Sequence, residues 1–267
     1  MCGRYASSRS PEDLVEEFEV DRVAGEPPPA SYNIAPTDPV VSVLERAPRK
    51  EPEADAERVL RVLRWGLVPS WAKDPSIGSR MINARVETVH EKPAFRRPFA
   101  ARRCLLPADG YYEWYTFDRP AREGGRRATT RKQPFFIRPR DGGVLAMAGL
   151  YELWRDPAAA EGADPWLWTC TVITTTAEDE LGRIHDRMPM IVERERYDAW
   201  LDPANDDPDA LRALLVPAAP GRLEAYAVST EVNSVRNDGP QLVAPLPTEG
   251  EPAENAIEGG ADRAALF

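Results

Sequence analysis

The chain has 267 residues, enough for one large domain with a buried core, and a net charge of −10. No apolar run reaches the length of a membrane span and the N-terminus lacks the basic-then-apolar layout of a secretion signal, so a soluble, cytoplasmic protein is expected. Three widely spaced cysteines (Cys2, Cys104, Cys170) and only two histidines argue against a disulfide framework and against a zinc site.

In chain order, PEDLVEEFEV (11–20) reads as a short helix, with Pro11 in its first turn and Leu14, Val15 and Phe18 on one face. A proline-rich connector leads to two β-like runs, VVSVLE (40–45) and RVLRVLRWGLV (58–68). Three more follow: PFFIRP (134–139), VLAMAGLYELW (144–154) and LWTCTVITT (167–175). YDAWLD and DPDALRALLV, within 197–216, read as helical, and LEAYAVS (223–229) as a last strand. Segments 46–57, 117–131 and 156–165 read as exposed hairpin extensions. The acidic, Gly/Ala-rich stretch 247–267 reads as a disordered tail behind a single domain, 1–246. Without a βαβ rhythm, the expected fold class is α+β: mostly antiparallel curved sheets forming a barrel-like core with a few peripheral helices.

The charge is unevenly spread. Between Arg80 and Arg140 there are 15 Lys and Arg against 6 Asp and Glu, a local +9 inside an acidic chain. Such a segment can attract a polyanion, because charges beyond about one Debye length are screened.

Cys2 follows the initiator methionine directly. Removal of Met1, normal before a small residue, would leave a free α-amine (pKa about 7.7–8.0) beside a thiol (about 8.5). An aldehyde meeting this pair can form a Schiff base with the amine, onto which sulfur closes to give a thiazolidine ring. Asn83 in MINARVET reads either as a turn residue or as a neutral amide holding the Cys2 amine. Glu113 in ADGYYEW lies between aromatics; it is either a strand-edge acid or a carboxyl whose raised pKa suits proton exchange near neutrality. His185 in IHDRMP is either structural or a proton shuttle. Trp71 and Trp114 read as core residues or stacking platforms, and Arg4, Arg85 and Arg187 lie close enough to these positions to hold phosphates. Cys104 and Cys170 sit in apolar runs and read as inert. The Arg-rich segment 117–131 reads as a solvated hairpin tip or an accessory contact to duplex DNA.

These stretches, MCGRY, YNIAPT, WGLVPSWAKD, MINARVET, ADGYYEW, IHDRMP and EVNSVRNDGPQLVAP, follow one another in an order that resembles the SOS-response-associated peptidase (SRAP) family over nearly the whole chain except the tail. The resemblance implies an enzyme that needs no cofactor and acts on abasic sites in single-stranded DNA. In that picture Cys2 is the crosslinking nucleophile and Asn83, Glu113 and His185 complete the active site. Arg85 and Arg187 contact phosphates, and Thr174 matches a position near the DNA backbone. Ala72 departs from members that carry a second aromatic after the tryptophan matched by Trp71. A monomer, with no membrane or metal partner, is expected, associated with the nucleoid when on DNA. Two other readings stay open: an N-terminal-cysteine peptidase acting on amides, and a non-catalytic reader of damaged or modified DNA.

Overall fold

A computed structural model describes residues 2–47, 55–119, 129–177 and 181–247. The strands are β1 (Tyr5–Ser7), β2 (Arg22–Ala24), β3 (Ser31–Ile34), β4 (Pro39–Arg46), β5 (Glu57–Trp65), β6 (Asn83–Arg85) and β7 (Arg103–Ala108). They continue with β8 (Gly110–Arg119), β9 (Thr129–Pro139), β10 (Leu145–Arg155), β11 (Trp166–Thr176), β12 (Arg187–Pro189) and β13 (Leu223–Ala227). The helices are α1 (Pro11–Glu17), α2 (Arg96–Ala101), α3 (Leu181–Ile184), α4 (Tyr197–Leu201) and α5 (Pro208–Leu214). None of the described helices is long and apolar enough to cross a membrane.

Five strands close on themselves. β5, β4, β7, β10 and β11 pair antiparallel in that order, and β11 returns to β5 in parallel through Thr169 opposite Arg64 and Cys170 opposite Trp65. The fold is therefore an α+β barrel with few helices, as the strand pattern predicts. Inward-pointing residues, among them Val40, Leu44, Val59, Leu63, Trp65, Leu106, Met147, Cys170 and Val172, fill the lumen. Alternate residues such as Val43, Leu60, Leu105 and Ile173 are also buried, on the outer face under α1, α2, α4 and α5. Strands covered on both faces read as continuous apolar runs, and their β-branched and aromatic content marks them as strands. A second sheet, in the order β13-β9-β8-β1-β3, leans on the barrel and carries its own apolar layer around Tyr112, Phe136 and Val232.

The expected helix over 11–20 ends early, at Glu17, because Phe18 caps it and Glu19 takes a left-handed φ of 52°. Its start is fixed by a reciprocal pair: the Asp13 backbone N–H donates to Ser10 Oγ, and the Ser10 N–H donates to the Asp13 carboxylate. β8 and β9 pair out to Arg119 opposite Thr129, so the segment expected as loop over 117–131 is strand at both ends. Its remainder, 120–128, lies outside the described residues, as do 48–54 of the first expected loop and all of the expected tail from 248.

Candidate active site

The chain passes from the barrel into the second sheet at Asp109, between β7 and β8. There Gly110 lies so close to β9 that a Cβ would fall 2.5 Å from the Ile137 carbonyl and from the Phe136 ring. The Asp109 backbone N–H donates to the Ala6 carbonyl and the Tyr112 N–H to the Arg4 carbonyl, which fixes the N-terminal segment along β8. Cys2 is thereby seated at the barrel end formed by Pro39, Trp65, Ala108 and Leu145. It is fully buried, in one apolar cluster with Tyr5, Trp65, Tyr111 and Cys170. Burial pushes the Cys2 thiol well up, the Glu113 charge adds to this, and the Arg4 backbone N–H opposes it. A thiol in this setting rests neutral at physiological pH.

Asn83 reaches the same end of the barrel by a different route. β5 stops at Gly66 (φ 125°), packed so tightly on Gly78 that a Cβ on Gly66 would meet the Gly78 carbonyl oxygen at 2.6 Å. The Trp65 indole N–H donates to the Ile82 carbonyl (2.9 Å), and β6 then adds in parallel to β11 with Asn83 opposite Val172. Asn83 Nδ2 donates to the backbone carbonyl of Cys2 at 2.8 Å, whereas its buried Oδ1 has no hydrogen-bond partner among the described residues. The amide thus holds the Cys2 backbone and leaves an acceptor beside it.

Glu113 lies on β8, two residues after Tyr111 and on the same face. It is 3% exposed, and burial raises its pKa to about 7. α3 packs against β8 and delivers His185 just past its own C-terminus. His185 Nδ1 accepts the backbone N–H of Arg187 (3.0 Å) and lies 3.1 Å from Asp186 Oδ1. Burial lowers the imidazole's pKa from its usual value, with Asp186 opposing. Four segments distant in sequence are thus brought to one end of the barrel: a buried thiol, an amide, a carboxyl that titrates near neutrality and a neutral imidazole.

The flanking residues divide. Trp71 is 61% exposed and Arg85 projects into solvent, so both are open to a ligand. The Arg4 guanidinium lies over the Trp114 ring (5.9 Å) and donates to Asn33 Oδ1 (2.7 Å) and to the Val232 carbonyl (2.9 Å). The Trp114 indole N–H donates to Asn233 Oδ1 at 2.7 Å. Arg187 pairs with Glu87 (2.5 Å) and donates to the Thr174 carbonyl (2.5 Å). Thr174 itself is 1% exposed, so it faces the interior, with its hydroxyl 3.4 Å from the Arg187 guanidinium. Sequence reasoning missed Asn33, Glu87 and Tyr111. Asn33 lies in YNIAPT, a stretch from which no residue is singled out, and Glu87 in MINARVET, which is read for Asn83 and Arg85. Tyr111 carries a buried hydroxyl without a hydrogen-bond partner among the described residues. Cys104 and Cys170 are both buried, as their apolar runs imply.

Fold and site together define a small closed-barrel protein with a cysteine near its N-terminus set against an amide, a carboxyl and an imidazole. The family model described as SOS response associated peptidase (SRAP) matches residues 1–235, and the chain belongs to that family. It is 42% identical over 245 residues to the abasic site processing protein YoqW of Bacillus subtilis, covering 91% of this chain and 99% of the relative. It is 36% identical over 239 residues to the abasic site processing protein HMCES of Gallus gallus, covering 81% of this chain and 66% of that one. A crystal structure of a protein from Bacteroides thetaiotaomicron superposes with a TM-score of 0.72 at 24% identity, over 92% of this chain and all of the other, a likeness of fold.

Proposed function

We propose that this protein processes abasic sites in single-stranded DNA by capturing their open-chain aldehyde on Cys2, once Met1 has been removed. The observation that carries the reading is Glu113, a carboxyl raised to about 7 whose charge acts directly on Cys2, at the one place where proton exchange at neutral pH is needed. The relatives named as abasic site processing proteins support the same substrate. Residues 1–246 act as one unit in this reading, as a monomer.

The atoms balance as follows. The Cys2 amine adds to C1′ of the aldehyde, and the carbinolamine loses its hydroxyl as water to give an imine. The Cys2 sulfur then adds to the imine carbon, and the proton it gives up ends on nitrogen. The product is a thiazolidine with new C–N and C–S bonds, and one water leaves overall. Asn83 Oδ1 is the acceptor that orients the amine, Glu113 moves protons at the carbinolamine and imine, and His185 serves ring opening of the sugar. Because the buried thiol rests neutral, the amine attacks first and the sulfur second. Arg85, Arg187, Trp71 and Trp114 flank the lesion, and Arg4 braces Trp114 from below.

The test is a denaturing gel of the mature protein incubated with a single-stranded oligonucleotide bearing one abasic site, beside Cys2→Ala and Cys2→Ser. A heat-resistant shifted band that requires Cys2 is expected. No adduct near neutral pH, with binding retained, would overturn the capture reading and leave the peptidase and the non-catalytic reader.

A further inference from the structure

The barrel has a second end, opposite Cys2. The registers place Arg46 opposite Glu57, Arg155 opposite Trp166, and Arg103 at that same end, while Pro39, Ala108 and Leu145 mark the end that holds Cys2. Along each strand the lumen-facing series runs out there into different chemistry. Val40 and Leu44 on β4 are followed by Arg46. Arg61 on β5 sits between Val59 and Leu63, each 1% exposed, and Trp168 on β11 precedes Cys170 and Val172. The Arg61 guanidinium lies 3.8 Å above the Trp168 ring and that of Arg46 lies 5.0 Å from it, while Tyr151 stacks on the same indole at 5.8 Å.

Neither arginine has an ion pair among the described residues, and Arg61 Nε is buried without an acceptor. Arg22, the second guanidinium acting on Arg61 after Arg46, is paired with Glu57, and the main opposing charge acting on Arg61 is Asp164. Tyr151 faces Arg46, Arg102 and Arg103, of which Arg102 is neutralised by Glu152. Two like charges share one indole, half out of water, with donors unused. Such an arrangement is costly unless an anion completes it. The fork of two guanidiniums matches phosphate oxygens, and Trp166, 37% exposed and two residues before Trp168 on the same face, offers a ring beside it.

We propose that this far mouth of the barrel is a second binding site for a phosphate group, held as part of a nucleic-acid strand. The choice of strand rests on the reading of the chain as one that acts on DNA. The mouth is remote from Cys2 and takes no part in capture; it tethers DNA away from the lesion.

The test measures binding of a fluorescent single-stranded oligonucleotide without an abasic site to the full chain carrying Cys2→Ser, with and without Arg46→Gln/Arg61→Gln, across salt concentrations. Losing two phosphate contacts should lower the slope of log affinity against log salt by about 1.4 and weaken binding roughly 25-fold at 0.1 M salt. The charge-keeping Arg46→Lys/Arg61→Lys variant should retain the slope, and thermal unfolding of each variant shows that the comparison is made on folded protein. Inorganic phosphate, titrated while following indole fluorescence, tells a free-ion site from a strand site. An unchanged slope in the glutamine variant overturns the proposal, whatever free phosphate does. Crosslinking to a saturating abasic oligonucleotide is measured separately with Cys2 intact. Its absence in the wild type would sink the capture reading and leave the salt slope to be judged on its own.

Discussion

Glu113 is held in surroundings that favour its neutral form, and this has a stability consequence as well as a chemical one. A carboxyl that binds its proton more tightly in the folded chain than in the unfolded one favours folding at low pH. That advantage is lost as the pH rises from about 4.5 to about 7, and ionising the group in place costs on the order of 3 kcal/mol. Glu113→Gln should therefore raise the melting temperature at pH 8 and change it little at pH 5. The same variant should slow adduct formation on the order of a hundredfold and remove the inflection near pH 7 from its rate profile. Calorimetry at the two pH values and gel time courses across pH check both. Equal melting shifts at pH 5 and pH 8 would contradict the assignment. Cys2, Asn83, Glu113 and His185 stand out in the sequence as candidates, each with a structural alternative, and only the family resemblance groups them into one site. The placement of Thr174 is not legible there, because β11 is buried on both faces and its alternation carries no sign of which side meets solvent.

At the scale of elements, Arg103 shows what charge counting misses. It belongs to the basic stretch that reads as attractive to DNA, yet it is 2% exposed. Its guanidinium donates to the carbonyls of Phe99 and Ala100 in the last turn of α2, and to those of Trp200 and Asp202 at the end of α4. One side chain caps two helix C-termini and pins both to β7. Arg103→Met should cost about 3 kcal/mol, a fall of roughly 6–12 °C in melting temperature, since four carbonyls lose a donor in a buried place. A drop of less than 2 °C in a thermal melt would show that the cap is dispensable. β7 itself escaped the sequence reading: RCLLPA has no alternation, and Pro107 argues against a strand. Every residue of it is buried, and its outer face is sealed by the helices that Arg103 holds. β4, β5, β10 and β11 were legible because they are longer and bounded by turn residues.

At the scale of the molecule, the barrel closes through a short parallel seam, Arg64–Trp65 against Thr169–Cys170, joining strands about a hundred residues apart in sequence. The wall under Cys2 is made of that seam. Pairings so remote are late to form, because chain closure must be completed before they contribute anything. During refolding from denaturant, the fluorescence change of buried Trp65 and the return of crosslinking should share one slow phase. Crosslinking that recovers in an earlier phase than Trp65 would separate the site from the seam.

The seam also sets an order in time during synthesis. Of the four candidate residues, Cys2 leaves the ribosome before the rest, Asn83 has no strand to join until β11 is made, and His185 comes later still. On the proposed chemistry, a thiol and amine exposed during translation would meet cellular aldehydes with nothing to direct or spare them. Here Asn83, Glu113 and His185 reach Cys2 only when most of the chain is present and the barrel has shut. On the proposed capture reading, the nucleophile is thus made well before the groups that act on it and meets them only when the barrel shuts.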